Sequence, residues 1–373
     1  MPKTRKSNIE LLRILCMLLI CLHHFCVHGP WSDVSVANAL TLDVLSMGGK
    51  IGVDCFVLIS GYFLIASCAR LRSLLRLELE TVFYSVVILA VVLATGFKEV
   101  GRLGIIGAIL PTSTSEYWFI TAYVGMYVLS PLLNRALAGL DERRYRLVLA
   151  VGFVMLSAIH TLLIVWGNPF ASDVVWFAYL YAVGGYVRLY GGGVALPKKG
   201  ASTWLNPVLL VERMQPVTCL VVLPVFLALT AWMGCSLEGA FPAFRLSGTS
   251  FMGMDTAFCL WISIALFMLF ERLDLRPIPV INTLAGSVFG VYLIHDNPYV
   301  RAWLWPHFSW AGSLGVPALV GCALLAAIAV FVACSAIDLV RANLIERPVM
   351  RVLDKRLAGT YERVDECIRG FLR

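Results

Sequence analysis

Residues 9–28 read IELLRILCMLLICLHHFCVH. Twenty residues of helix rise about 30 Å, the thickness of a bilayer's hydrocarbon core. Only Glu10 and Arg13 carry a fixed charge in the stretch. With no water at that depth to satisfy backbone N–H and C=O groups, such a run must close its hydrogen bonds internally, as a helix. Lys3, Arg5 and Lys6 precede it and imitate the basic start of a signal peptide. No small-residue cleavage site follows, and Arg13, His23 and His24 interrupt the apolar run, so it reads as a retained first span.

Further runs of this kind recur along the chain. They lie near 50–67, 80–97, 117–137, 147–166, 173–190, 217–234, 253–270, 282–303 and 314–339. The ninth is interrupted by His295, Asp296, Asn297 and Pro298, and residues 103–111 are apolar but too short to cross. The expected fold is therefore all-α and polytopic, with about ten transmembrane helices. Composition agrees. The chain is 60% hydrophobic and 14% charged, with a mean hydropathy of +0.83, where a soluble domain carries about 25% charged residues. A membrane barrel would show alternating segments of about ten residues, and none occurs.

Lys and Arg in the connections set the orientation. With the N-terminus inside, 25 of the 30 basic residues fall on the inner side. The outer five are Lys50, Lys98, Arg102, Arg245 and Arg301. This alternation implies an even number of spans with both ends cytoplasmic, and it accounts for the net charge of +7 without nucleic acid. The inner connection near 191–216, with Gly191-Gly192-Gly193 and Lys198-Lys199-Gly200, reads as a flexible surface link. Of eleven cysteines, Cys16, Cys21, Cys26, Cys55, Cys259, Cys322 and Cys334 lie in apolar spans, as small packing residues. No Cys-x-x-Cys pair or Cys/His metal spacing occurs, so no metal site is expected.

Ionisable groups inside spans are costly and therefore candidates for function. Ser7 and Glu10 are spaced as a capping box at the first helix start. Arg13 and His24 are eleven residues apart, three turns, so they share one face about 16 Å apart, with His23 turned about 80° away. In the second span Asp54 falls near the outer end, at a depth similar to His24. A His24–Asp54 pair would orient the imidazole as a general base, whereas a Lys50–Asp54 link at i,i+4 would be structural. At the same outer depth stand Glu116, Tyr117, Trp118 and His295, candidates for binding the acceptor substrate; the first three also read as an interfacial anchor. His160, alone on an apolar helix, reads as a hydrogen-bonded packing residue, and His28 and His307 as solvated. Near the inner face, Arg70, Arg72 and Arg76 suit either orientation bias or a phosphate site, since guanidinium groups bind phosphate through paired hydrogen bonds.

Five phrases together resemble the acyltransferase 3 family of bacterial membrane O-acyltransferases. They are residues 9–24, IELLRILCMLLICLHH; 52–64, GVDCFVLISGYFL; 117–134, YWFITAYVGMYVLSPLLN; 181–188, YAVGGYVR; and 287–295, SVFGVYLIH. The resemblance runs from about residue 8 to 345. It implies a transmembrane acyltransferase domain over 1–345, followed by a cytoplasmic basic tail, 346–373. It also implies transfer of an acyl group, often acetyl, from cytoplasmic acyl-CoA to a hydroxyl of a surface or lipid-linked carbohydrate, in the bacterial inner membrane. His24 would be catalytic and Arg13 important. Acyl-CoA would be a substrate, with no permanently bound cofactor. The family's Arg-x-x-Arg after the second span is not matched by Arg70, Arg72 and Arg76, although the basic cluster is present. The competing reading is a multi-span transporter or flippase, in which the same Arg, His and Asp would line a polar path.

Overall fold

The computed structural model describes residues 6–32, 34–164, 167–168, 170, 172–191, 205–237 and 249–372. Lys3, Arg5, Lys198, Lys199, Arg245 and Arg373, with Gly192, Gly193 and Gly200, lie outside the described residues. The helices are α1 Ser7–His28, α2 Val36–Leu64, α3 Leu71–Thr95, α4 Arg102–Ile109 and α5 Trp118–Ala138. Then come α6 Glu142–Phe153, which runs on through a π turn to Leu162, α7 Asp173–Tyr190, α8 Pro207–Met214 and α9 Pro216–Leu237. The last six are α10 Ala257–Arg272, α11 Pro279–Leu284, α12 Val288–His295, α13 Pro298–Leu304, α14 Val316–Arg341 and α15 Arg347–Leu372. No strand occurs among the described residues. Six of the described helical units are long and apolar enough to cross a membrane: α1, α3, α6 with its extension, α9, α10 with the turn before it, and α14 with the tail helix that continues it.

α1 is the central post. It packs along α2 and against α10, α12 and α14, and Leu12, Cys16, Cys21 and Phe25 on it are fully buried. In a membrane, helices associate through close backbone approach at small residues. A side chain on Gly52 would come within 2.7 Å of the Cys16 carbonyl oxygen, and one on Gly49 would collide with His23. Lower α2 numbers thus meet higher α1 numbers, and the pair is antiparallel. On its other flank α2 presses Gly61 onto the Tyr181 backbone, while Gly184 of α7 faces the Leu58 carbonyl.

Several expectations change here. The second helix begins at Val36 rather than near residue 50, capped by Ser35, whose Oγ accepts from the Asn38 N–H at 3.2 Å. Asn38, Asp43, Ser46 and two glycines keep its first half from reading as apolar. The capping box at the chain start does not form. Lys6 is the N-cap of α1, Ser7 Oγ donates to Asn282 and accepts from the Ile278 N–H, and Glu10 sits 3.5 Å from Arg13. The interrupted ninth span is three short helices, α11 to α13, with the break at Asp296 and Asn297. Asn297 caps α13 by accepting from the Tyr299 N–H at 3.0 Å, and Pro298 takes the first helical position, where its missing N–H costs nothing. The charged tail continues α14 through a π turn at Ala342–Glu346 and packs against α3 and α5.

Candidate active site

One cavity of about 900 Å³ runs through this bundle. Arg72 and Arg76 of α3 line one part of it. Lys50 of α2, Trp118 of α5 and Arg301 of α13 line another, and Arg13, His23, His24, His28 and Asp296 also border it. The shared face expected for Arg13 and His24 is therefore a cavity wall. His23, expected to turn away, borders it too, because its Nδ1–H is drawn to the Ser46 carbonyl at 2.6 Å.

His24 is almost wholly buried, and its nitrogens are set apart by its neighbours. Its Nδ1 lies 2.9 Å from His295 Nε2. The other ring nitrogen of His295, Nδ1, lies 2.6 Å from the Val291 carbonyl oxygen, which only accepts. In neutral His295 the proton must sit on Nδ1, so Nε2 accepts and His24 Nδ1–H donates. The proton-free nitrogen of His24 is then Nε2. The carboxylate at the helix break completes the arrangement: Asp296 Oδ1 is 3.5 Å from His24 Nδ1, 3.9 Å from His28 Nε2 and 3.5 Å from Arg301 Nη1. A carboxylate oriented toward an imidazole favours the protonated ring when it forms.

Asp54 is not part of this group. It is fully buried, accepts from Trp176 Nε1 at 3.0 Å and from Ser263 Oγ at 3.4 Å, and ties α2 to α7 and α10. The anticipated His24–Asp54 pair fails because α2 starts 14 residues earlier than its apolar reading suggests. Gly49, not Asp54, faces His23, and Asp54 lies five residues further on, about 7.5 Å away along the axis. The alternative Lys50–Asp54 link fails as well, because Lys50 Nζ lies 5.5 Å over the Trp118 ring.

The remaining candidates divide. Trp118 lines the cavity. Tyr117 stands behind it, donating to the Leu293 carbonyl at 3.0 Å and accepting from Asn297 Nδ2 at 2.8 Å, so it braces the helix break. Glu116 lies off the cavity, 3.5 Å from Ser85 Oγ. Arg72 donates twice to Asp354 of α15, at 2.7 and 2.8 Å, and Arg76 is 2.6 Å from Glu346. Those hydrogen bonds hold the exposed Asp354 carboxyl below the usual carboxylate range. Arg70 is exposed and off the cavity, and its backbone N–H donates to Tyr127. His160, expected as a hydrogen-bonded packing residue, instead lies 3.7 Å from the Asp255 carboxylate, and its buried Nδ1 makes no hydrogen bond among the described residues.

Asp296, His28, Lys50 and Arg301 join the candidates here, none of them marked by the sequence as a site residue. The signal for Asp296 was present, as a carboxylate interrupting an apolar span beside a histidine. His28 was read as solvated; its side chain is 29% exposed, and it borders the cavity. His24, His28 and Asp296 offer ligand atoms within 4.8 Å of one another, a spacing open to a metal ion. Arg301 Nη1, however, lies 3.5 Å from both His28 Nε2 and Asp296 Oδ1, supplying positive charge at that point.

Residues 6–336 match the family model of the acyltransferase 3 acyltransferase domain. The chain belongs to the acyltransferase 3 family. No curated protein and no solved structure matches it. Membership points to a membrane acyltransferase, and in this acyltransferase 3 chain the residues behind the resemblance converge. The phrase at 9–24 supplies Arg13 and His24, the phrase at 287–295 ends on His295, and the phrase at 117–134 supplies Trp118. The phrase at 52–64 contributes packing, through Asp54 and Gly61.

Proposed function

We propose that this protein is an O-acyltransferase of ten spans, with both ends in the cytoplasm. It moves an acyl group, most simply acetyl, from cytoplasmic acyl-CoA to a hydroxyl of a cell-surface or lipid-linked carbohydrate in the bacterial inner membrane. The observation that carries the reading is His24. It borders a cavity that also reaches a pair of arginines, and its Nδ1 is committed to His295, so that Nε2 is the basic nitrogen.

In the proposed reaction the CoA phosphates bind at Arg72 and Arg76, exchanging with the carboxylates of Asp354 and Glu346 that now hold them. The acyl thioester extends along the cavity past Arg13 to His24. His24 Nε2 takes the hydroxyl proton as the oxygen attacks the thioester carbonyl. The carbon–sulfur bond then breaks, CoA leaves as thiolate, and the imidazolium returns the proton to sulfur. While the ring is charged, Nδ1–H stays on His295 and Asp296 balances the charge at 3.5 Å. Mass spectrometry of surface glycans from cells with and without the gene tests the reading. The expected result is a carbohydrate that gains the mass of one acyl group only when the gene is present. Identical glycan masses, together with gene-dependent movement of an unmodified sugar, would favour the transporter.

A further inference from the structure

Permanent charge is unevenly balanced along the cavity. Arg72 and Arg76 each face a carboxylate of the tail region, at 2.7 and 2.6 Å. Lys50 has no carboxylate within ion-pair distance among the described residues, and its Nζ lies 5.5 Å over the ring of Trp118. Arg301 is 30% exposed and shares Asp296 with His24, at 3.5 Å from each. Among the residues that line this stretch, two permanent cations stand against one carboxylate; Asp54 and Glu116 lie near enough to act on Lys50 and Arg301 respectively, but outside the lining. The histidines there, His23, His24 and His28, add either no charge or more positive charge. Walls of low dielectric strengthen such a field.

We propose that Lys50 and Arg301, beside the flat face of Trp118, form a subsite for an anionic group on the acceptor, so that the sugar acylated at His24 carries a carboxylate or a phosphate. The inference rests on the transferase reading for its choice of ligand, and on charge and geometry for the site. Lys50 binds the anion as a point charge, and Arg301 can offer the anion a paired contact with the guanidinium nitrogens that Asp296 does not use. Trp118 lines the same cavity, and when Lys50, now over its ring, turns to the anion, that aromatic face is free for a sugar ring to pack on. A uronic acid and a phosphosugar, including a lipid-linked one, present the same anionic oxygens.

Calorimetric titration of the purified full-length protein tests this with three probes: methyl glucuronide, methyl glucose 6-phosphate and uncharged methyl glucoside. A charge-assisted contact in a partly buried site corresponds to about a tenfold or greater preference for a charged probe. That preference is expected in the wild type, is expected to fall below about threefold in Lys50→Gln, and is expected to return in Lys50→Arg, which also controls for folding. Whichever charged probe binds more tightly identifies the source of the anion. Equal affinities for charged and neutral probes, no measurable binding of either charged probe, or a preference that survives in Lys50→Gln would each overturn the subsite. Acyl transfer is measured separately. A Lys50-dependent charge preference in a protein that transfers no acyl group would leave the subsite standing and strike down the transferase reading.

Discussion

His24 has one nitrogen bound and one left basic, and His295 makes that distinction. Its proton is fixed toward Val291, so it can only accept from His24. Replacing His295 with Ala removes the acceptor and lets the His24 ring turn or change tautomer. The expected effect is a fall in kcat of about 100-fold, at the lower end of what a positioned base contributes, with the KM for acyl-CoA little changed. Steady-state release of CoA thiol reads both. Asp54 makes the opposite case. Asp54→Asn disturbs the hydrogen bonds with Trp176 and Ser263 and should cost about 1–3 kcal/mol in thermal unfolding in detergent. Turnover per folded molecule should stay intact, since Asp54 touches no cavity residue of the mechanism. The sequence marks His24 as a candidate plainly, because a histidine in an apolar helix with an arginine three turns before it has few structural explanations. Its partners were harder to see. Choosing between Asp54 and His295 depends on the register of α1 against α2, and the polar first half of α2 concealed that register.

Between elements, the joint is a buried ionic cluster where α3, α14 and the π turn meet. Arg341, 7% exposed, donates to Glu80 and Asp338 and pairs with Glu346, all at 2.8 Å, and Glu346 in turn reaches Arg76. Glu80 lines the cavity, so the cluster connects tail position to the arginines at the proposed donor end. Arg341→Ala would leave buried carboxylates without their counter-charge and should cost about 3–5 kcal/mol, read as a large drop in melting temperature. Arg76→Ala should instead raise the acyl-CoA KM about tenfold with kcat largely kept, because it removes one phosphate contact from a surviving fold. From the sequence, Arg341 counts among the inner basic residues and Glu346 falls in the tail, while Glu80 and Asp338 draw no reading. Asp338–Arg341 is a local i,i+3 pair, but the links from Arg341 to Glu80 and from Glu346 to Arg76 join distant segments, and no local pattern records those.

For the whole molecule, the apolar runs placed the helices well wherever each was long and unbroken, as at α7 and α14. They failed at two elements that border the candidate site: α2 is diluted by polar residues, and the ninth span divides at Asp296 and Asn297. The ten-span reading predicts that reporter fusions at both termini report a cytoplasmic location; a reporter on the outer side at either end would remove one span from the count. The account depends most on one cavity joining a cytoplasmic acyl donor to an acceptor at His24. Its most direct test uses the purified protein in liposomes, with labelled acyl-CoA and acceptor glycan, comparing wild type with His24→Ala. The account predicts acyl-glycan formed one for one with CoA thiol by the wild type, and a rate at least about 100-fold lower in the variant. Transfer by His24→Ala at the wild-type rate would contradict it.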